Sequence, residues 1–128
     1  MPKKVIAIDG PAGAGKSTVA KLVAKRLDYL YIDTGAMYRA LTLKAMKNNI
    51  PLDNWAMLTE LAQETQIELV SKGDRISVIL DGKDVTEEIR DPQVSQNVSL
   101  VALVPGVREK MVDAQRRMAE NGGVVMDG

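Results

Sequence analysis

Hydrophobic and polar residues follow two different patterns near the start of the chain. Residues 5–8 form a short continuous apolar run, which is typical of a strand buried on both faces of a parallel sheet. Apolar residues then recur at spacings of three and four, which predicts one apolar face of an amphipathic helix: Val19, Leu22, Val23 and Leu27. The pattern therefore predicts a strand, a turn at residues 10–18 and a helix.

The same two patterns recur further along the chain. A second short strand is predicted at residues 29–32, and the helix that follows has apolar positions at Met37, Ala40, Leu41 and Ala45. Strands and helices that alternate with short connections form parallel sheets, and ligands bind beyond the carboxyl ends of the strands. The segments at residues 10–18 and 33–39 both follow predicted strands, so we expect both at the ligand-binding edge.

After Pro51 the pattern changes. Asp53 is expected to cap a short helix that continues to residue 66. Apolar residues then alternate with polar ones, and Asp81-Gly82 is a strong signal for a tight turn. We expect an antiparallel hairpin or a three-stranded sheet over about residues 67–86.

Two helices and a strand complete the pattern. Asp91 and Pro92 are a typical N-cap and first helical residue, and Pro105 begins the next helix. The apolar stripe of that last helix is expected to be buried; it consists of Val107, Met111, Ala114 and Met118. Residues 124–126 are again a short apolar strand.

The first strand-to-helix turn carries the clearest motif of the chain. Its sequence fits G-x-x-x-x-G-K-[ST], the phosphate-binding loop, in which glycines turn backbone N–H groups inward and a helix N-terminus adds positive charge. We expect Lys16 to act catalytically on the β- and γ-phosphates and Ser17 to coordinate Mg²⁺. The alternative is a glycine-rich turn that merely ends in Lys-Ser. The expected nucleotide-binding residues are Gly10, Pro11, Ala12, Gly13, Ala14, Gly15, Lys16, Ser17 and Thr18.

Asp127 follows the last predicted strand. Proteins with a phosphate-binding loop usually place an acidic residue there, where its carboxylate holds Mg²⁺ or a water on Mg²⁺. Any strand can end in Asp, so both readings stay open. Asp127 is a candidate for the metal site together with Ser17.

Composition narrows the class of protein. The 128 residues amount to one domain, and Lys+Arg and Asp+Glu balance at 17 each. Neutral charge and only 3% aromatic residues disfavour a nucleic-acid-binding module. The chain has no cysteine, no apolar run of membrane-spanning length and no signal-peptide pattern, so we expect a cytoplasmic protein with no membrane partner.

The chain also contains no histidine. Much hydrolase chemistry uses imidazole as the general base, whereas phosphoryl transfer depends mainly on positioning and charge neutralisation. The composition therefore favours a kinase.

Five segments in order resemble the bacterial cytidylate kinase family, whose members phosphorylate CMP and dCMP from ATP. They read VIAIDGPAGAGKST, YIDTGAMYRA, VILDGKDVTEEIR, QNVSLVALVPGVREKMVDAQR and VVMDG. The resemblance implies an α/β fold of the P-loop kinase type, with three layers around a parallel sheet. Residues 1–50 and 87–128 would form the core, and residues 51–86 a monophosphate-binding insertion with a small antiparallel sheet. The expected ligands are ATP, Mg²⁺, CMP and dCMP, and the expected state is a monomer.

The resemblance also implies an acceptor site. Arg39 would bind the phosphate of the nucleoside monophosphate, Tyr38 would lie beside its base or sugar, and Ser99 would hydrogen-bond the cytosine. Arg108 would meet the base or the phosphate. Taken singly, Arg39 and Arg108 would more often belong to a solvated helix face. Tyr38 alone could equally be a half-buried core residue, and Ser99 a small residue where helices pack closely. The residues expected to bind the acceptor are Thr34, Tyr38, Arg39, Ser99, Arg108 and Asp127.

The resemblance ends at Gly128. Family members continue with an Arg-Asp pair, further strands and an arginine-bearing lid, so we expect the chain to be truncated. The alternatives to a working cytidylate kinase are a nucleotide-binding fragment without catalysis and another small-molecule kinase, such as one for AMP or shikimate.

Overall fold

The computed structural model describes residues 3–8, 15–72 and 75–127, without the side chains of Lys16, Ser17, Lys72 and Asp127. Within these residues, strands and helices alternate in the first part of the chain, and an antiparallel segment interrupts the alternation. The elements are β1 (Val5–Ile8), α1 (Lys16–Leu27), β2 (Leu30–Ile32), α2 (Thr34–Lys47), α3 (Trp55–Gln63), β3 (Ile67–Lys72), β4 (Arg75–Leu80), β5 (Lys83–Asp84), a 3-10 turn (Glu88–Arg90), α4 (Pro92–Ala102), α5 (Pro105–Met118) and β6 (Val124–Asp127).

The first sheet is parallel and has the strand order β1-β6-β2. Its last strand in sequence therefore lies in the middle, where it pairs with both of the others. Ile8 pairs with Asp127, and Ile32 pairs with Met126. This arrangement confirms the predicted α/β class with a parallel sheet.

The second sheet is antiparallel and has the order β3-β4-β5; of the two alternatives predicted after Pro51, a hairpin or a three-stranded sheet, the structure has the second. Asp81 and Gly82 have φ angles of 49° and 84°, as required at both central residues of the tight turn that suits a twisted hairpin. The Asp81 side chain fastens this turn to its surroundings. It accepts a hydrogen bond from the Gln66 N–H at 2.9 Å and forms a salt bridge with Lys44 of α2.

Side-chain caps fix where three helices begin. Asp33 accepts from the Ala36 N–H at 3.0 Å, and Asp91 accepts from the Gln93 N–H at 2.8 Å, as expected for Asp91. The prediction for α3 was wrong by one residue. Asn54, rather than Asp53, caps it, because the Asn54 amide oxygen reaches the Met57 N–H at 3.1 Å. The helix ends at Gln63, three residues before the predicted end.

The largest apolar cluster joins helices and sheets from both halves of the chain. It includes Met37 and Leu41 of α2, Leu58 of α3, Val78 of β4 and Met111 of α5, all buried. The predicted stripes of α2 and α5 both face this cluster. Because the cluster spans residues 51–86 as well as the flanking segments, the insertion shares its core with them. Its status as a separate unit stays a prediction.

The helix predicted after the first turn is confirmed as α1, but most of its predicted apolar stripe is not buried. Three of the four residues of that stripe are about half exposed, with Val19 at 48%, Leu22 at 52% and Leu27 at 46%. The helix packs on the parallel sheet through Ala20 and Ala24, and the fourth stripe residue, Val23, packs against the same cluster. Small side chains let the helix approach the strands closely, so the larger residues lie beside the contact.

No helix in the described part of the chain is both long and apolar enough to cross a membrane.

Candidate active site

The parallel sheet brings three predicted site segments to one edge. Ile8, Asp127 and Ile32 are the last residues of β1, β6 and β2, and parallel strands end on the same side. Neighbouring strands are about 4.8 Å apart, which separates β1 from β2 by roughly 10 Å with β6 between them. The backbone of Asp127 therefore lies between the segment that follows β1 and the segment that follows β2.

The predicted phosphate-binding loop lies partly outside the described residues, since residues 10–14 are not among them. Gly15 is described and has a φ of 76°, in the left-handed region that the motif requires of a glycine. It is the N-cap of α1, and its carbonyl oxygen accepts the first helical hydrogen bond from the Val19 N–H at 3.1 Å. Lys16 and Ser17 are the first two residues of the helix.

The beginning of α1 is suited to an anion. No acidic residue lies in its first turn, and Gly15 provides no side chain to bond the N–H groups there. A helix start of this kind has unpaired N–H donors and the positive end of the helix dipole. The backbone arrangement thus fits phosphate, while the roles of the Lys16 and Ser17 side chains stay predictions.

The turn after β2 starts the second predicted segment. Asp33 caps α2, and Thr34 is the first residue of that helix and half-buried. Tyr38 and Arg39 lie one helical turn further, and both are also half-buried. All three predicted acceptor residues of α2 lie in its first two turns, and α2 starts at the same sheet edge as the phosphate-binding motif.

Arg108 on α5 influences the ionisation of Tyr38 on α2. Burial raises the pKa of the Tyr38 hydroxyl, and the nearby guanidinium of Arg108 partly offsets that rise. Two residues that the sequence analysis placed at the acceptor are therefore brought together.

The remaining predicted site residues differ in their exposure. Ser99 is exposed on α4, which packs against α2, and Thr18 is exposed in the first turn of α1. Arg39 is half-buried beside Tyr38. Within the described residues, no group of three or more acidic, His or Cys side chains could hold a metal ion. The proposed Mg²⁺ ligands, Ser17 and Asp127, have no described side chains, so they stay predictions.

The structure also contains a cleft of about 1110 Å³ that the sequence analysis did not predict. Its walls come from α1, β2 and β4, and its side chains carry both charge signs, among them Lys21, Arg75, Asp28 and Asp84. None of the predicted site residues that the structure describes lines it. These four residues come from distant segments, and only Asp84 lies in one of the segments that resemble the family, VILDGKDVTEEIR.

Comparison with known proteins identifies relatives along the whole chain. The sequence model of a family described as "Cytidylate kinase" matches residues 6–128. The cytidylate kinase of Desulforamulus reducens is 63% identical over 125 residues, which are 98% of this chain and 56% of the relative. Those of Bacillus velezensis and Symbiobacterium thermophilum are 58% and 60% identical and cover 100% and 97% of the chain. The chain thus spans a little more than half the length of these curated relatives.

Proposed function

This chain belongs to the cytidylate kinase family, and from that premise we propose that the whole protein transfers the γ-phosphoryl group of ATP to CMP or dCMP. The observation that supports this proposal is that three segments of the predicted site share one edge of the parallel sheet. Gly15 and the start of α1, the end of β6 at Asp127 and the start of α2 all lie there. A phosphoryl donor and an acceptor need such adjacency, because the transferred group moves in line between them.

The donor side consists of the helix start and its flanking residues. Lys16 would neutralise the β- and γ-phosphates, and the backbone N–H groups after Gly15 would bind phosphate oxygens. The hydroxyl of Ser17 and the carboxylate of Asp127 are oxygen donors, the class that Mg²⁺ prefers. When bound, ATP with Mg²⁺ supplies the phosphoryl group and neutralises developing charge; the protein's own residues position it.

The acceptor side consists of α2 with its neighbours α4 and α5. Arg39 would hold the phosphate of CMP, since a guanidinium is always charged and can donate two parallel hydrogen bonds. Thr34 lies closer to the sheet edge on the same helix. Ser99 and Arg108 offer a hydroxyl and a guanidinium, which can distinguish the cytosine ring through hydrogen bonds.

The test is a coupled phosphoryl-transfer assay on the 1–128 chain with ATP, Mg²⁺ and CMP, run beside a calorimetric measurement of CMP binding. AMP is the competing acceptor, and Lys16→Met is the control for contaminating kinases. We expect Lys16→Met to reduce turnover by at least about a hundredfold, because it removes a charge that acts on the transferring group. CMP binding should change little.

The outcomes separate the candidate functions. CMP-dependent turnover that Lys16→Met abolishes supports the proposal. Turnover with AMP in place of CMP overturns the proposed acceptor and favours another small-molecule kinase. Selective CMP binding without turnover favours the alternative that the 1–128 chain is a nucleotide-binding fragment that does not suffice for phosphoryl transfer.

A further inference from the structure

β3 is the outer strand of the antiparallel sheet, and its far edge pairs with no other strand in the described part of the chain. Its partner in β4 shows which groups face that edge. Leu69 pairs with Val78. The Val78 N–H donates to Thr86 Oγ1 at 2.9 Å and the Val78 C=O accepts from the Val85 N–H at 2.9 Å, so both groups point away from β3. The N–H and C=O of Leu69 therefore point away from β4, as do those of Ile67 two residues earlier.

A groove of about 420 Å³ lies between β3 and α5. Ile67 and Leu69 line one wall, Ala114 and Met118 line the other, and no described residue of β4 takes part, which places the groove on the outer side of β3. Among the described residues, no hydrogen bond satisfies the outward N–H and C=O groups of Ile67 and Leu69. A strand edge of this kind is a template for pairing with another extended chain.

The groove carries an excess of positive charge. Lys110 and Arg117 line the wall formed by α5, and Glu68 is the one acidic residue among the described residues of the lining. Within the described ranges, neither cation has a carboxylate at salt-bridge distance. Seven helical residues separate the two cations by about 10.5 Å along the axis. A second copy of the chain would bring the same cations to this edge, so the charge favours an acidic occupant instead.

We propose that the groove between β3 and α5 binds an acidic peptide segment, which adds as a strand to the free edge of β3. The peptide backbone bonds the outward groups of Ile67 and Leu69. Side chains four positions apart on an extended chain lie on one face, about 14 Å apart, a distance that the long side chains of Lys110 and Arg117 can span. An apolar side chain midway between them meets Ala114. The partner thus has the pattern acidic–x–apolar–x–acidic, and its binding is independent of the proposed kinase function.

The first experiment uses a fluorescein-labelled TETVTET peptide with blocked ends and measures its binding to the 1–128 chain by fluorescence anisotropy. We expect saturable binding, and binding at least about tenfold weaker for TKTVTKT, in which lysines replace the acidic residues. Arg117→Glu should weaken binding of TETVTET roughly tenfold. Arg116→Glu is the matched control, because it changes the net charge equally at an exposed neighbour that does not line the groove. Equal losses in the two variants, or no binding of TETVTET at millimolar concentration, overturn the proposal.

The second experiment tests strand addition with the protein unaltered. Amide hydrogen exchange followed by NMR should slow at Ile67 and Leu69 when TETVTET binds, because their N–H groups gain partners. The Val70 N–H, which points toward β4, is the internal control and should change less. A TETVTET peptide that is N-methylated at its three central residues keeps its charge but should bind at least about tenfold more weakly. Peptide binding that leaves the exchange at Ile67 and Leu69 unchanged overturns the proposal, as does their protection by dimerisation in the absence of peptide.

Discussion

Gly106 of α5 lies so close to Thr59 of α3 that no side chain fits between them. A Cβ atom at position 106 would be 2.3 Å from Thr59 Cγ2 and 2.4 Å from Thr59 Oγ1, well inside van der Waals contact. Thr59 is itself held, because its hydroxyl donates to the Trp55 carbonyl oxygen at 2.8 Å. This contact fixes α3, in the predicted insertion, against the helix that carries Arg108.

Gly106→Ala should therefore destabilise the protein. In an open helix position the change would help by up to about 1 kcal/mol, but overpacking costs about 1–3 kcal/mol. We expect a net decrease in the free energy of unfolding, measured by urea denaturation. Gly35→Ala in α2 is the matched control, since its Cβ would meet only Asp33 Oδ1 at 3.5 Å. If both variants gain stability, the close α3–α5 contact is contradicted.

The salt bridge between Asp81 and Lys44 predicts a pH dependence. Burial alone would raise the pKa of Asp81, but hydrogen bonds from the Gln66 N–H and Lys44, with the charge of Lys44, outweigh burial and hold the pKa below 3.8. A lowered folded-state pKa stabilises the fold above the unfolded-state value, and this contribution is lost as pH falls through the folded-state value.

The variant that tests this is Asp81→Asn. It keeps an acceptor for the Gln66 N–H and tolerates the φ of 49°, so that mainly the charge is removed. We expect a loss of at most about 1 kcal/mol at neutral pH, because the Asp81 side chain is partly exposed. The difference from wild type, measured by urea denaturation, should shrink below pH 3.8. A difference that stays constant with pH would show that the charge is not responsible.

Local signals in the sequence predict most of the elements because the physical cause of each element is itself local. Asp91 caps α4 through a bond to a residue two positions away, and the Asp81-Gly82 turn requires only its own two dihedral angles. The cap of α3 was misassigned because Asp53 and Asn54 have similar capping propensities, and only the geometry selects between them.

The face of α1 could not be predicted by periodicity. Large apolar residues at helical spacing normally indicate the buried face, but α1 contacts β6 and β2 through alanines, whose small size matters more than hydrophobicity. The effect of Arg108 on Tyr38 could not be predicted from the sequence either, since it depends on how α2 and α5 pack. Resemblance to a family assigned both residues to one ligand, and only the structure shows that the guanidinium of Arg108 lowers the pKa of Tyr38 against the effect of burial.

The packing of α1 through its alanines predicts different stability effects for two substitutions in this helix. Ala20→Leu should lower the free energy of unfolding by about 1–3 kcal/mol, because Ala20 is completely buried against the sheet. Leu22→Gln, on the half-exposed side of the same helix, should change it by less than about 0.5 kcal/mol in the 1–128 chain. Chemical denaturation measures both. If Leu22→Gln lowers the free energy of unfolding by more than that, the predicted apolar stripe of α1 contributes to the core after all.

Gly15 and Gly82 both have a left-handed backbone, so that comparing their alanine variants separates an effect on stability from an effect on ATP binding. Gly15→Ala and Gly82→Ala should each cost about 1–2 kcal/mol of stability, since both positions have φ near 80° and no described atom lies within 4 Å of a Cβ there. Only Gly15 begins the helix that we propose binds ATP, so Gly15→Ala should weaken ATP binding about tenfold or more, whereas Gly82→Ala should leave it intact. Urea denaturation and calorimetry with ATP measure the two effects separately. Equal ATP affinities in the two variants would show that the start of α1 does not bind the donor phosphates.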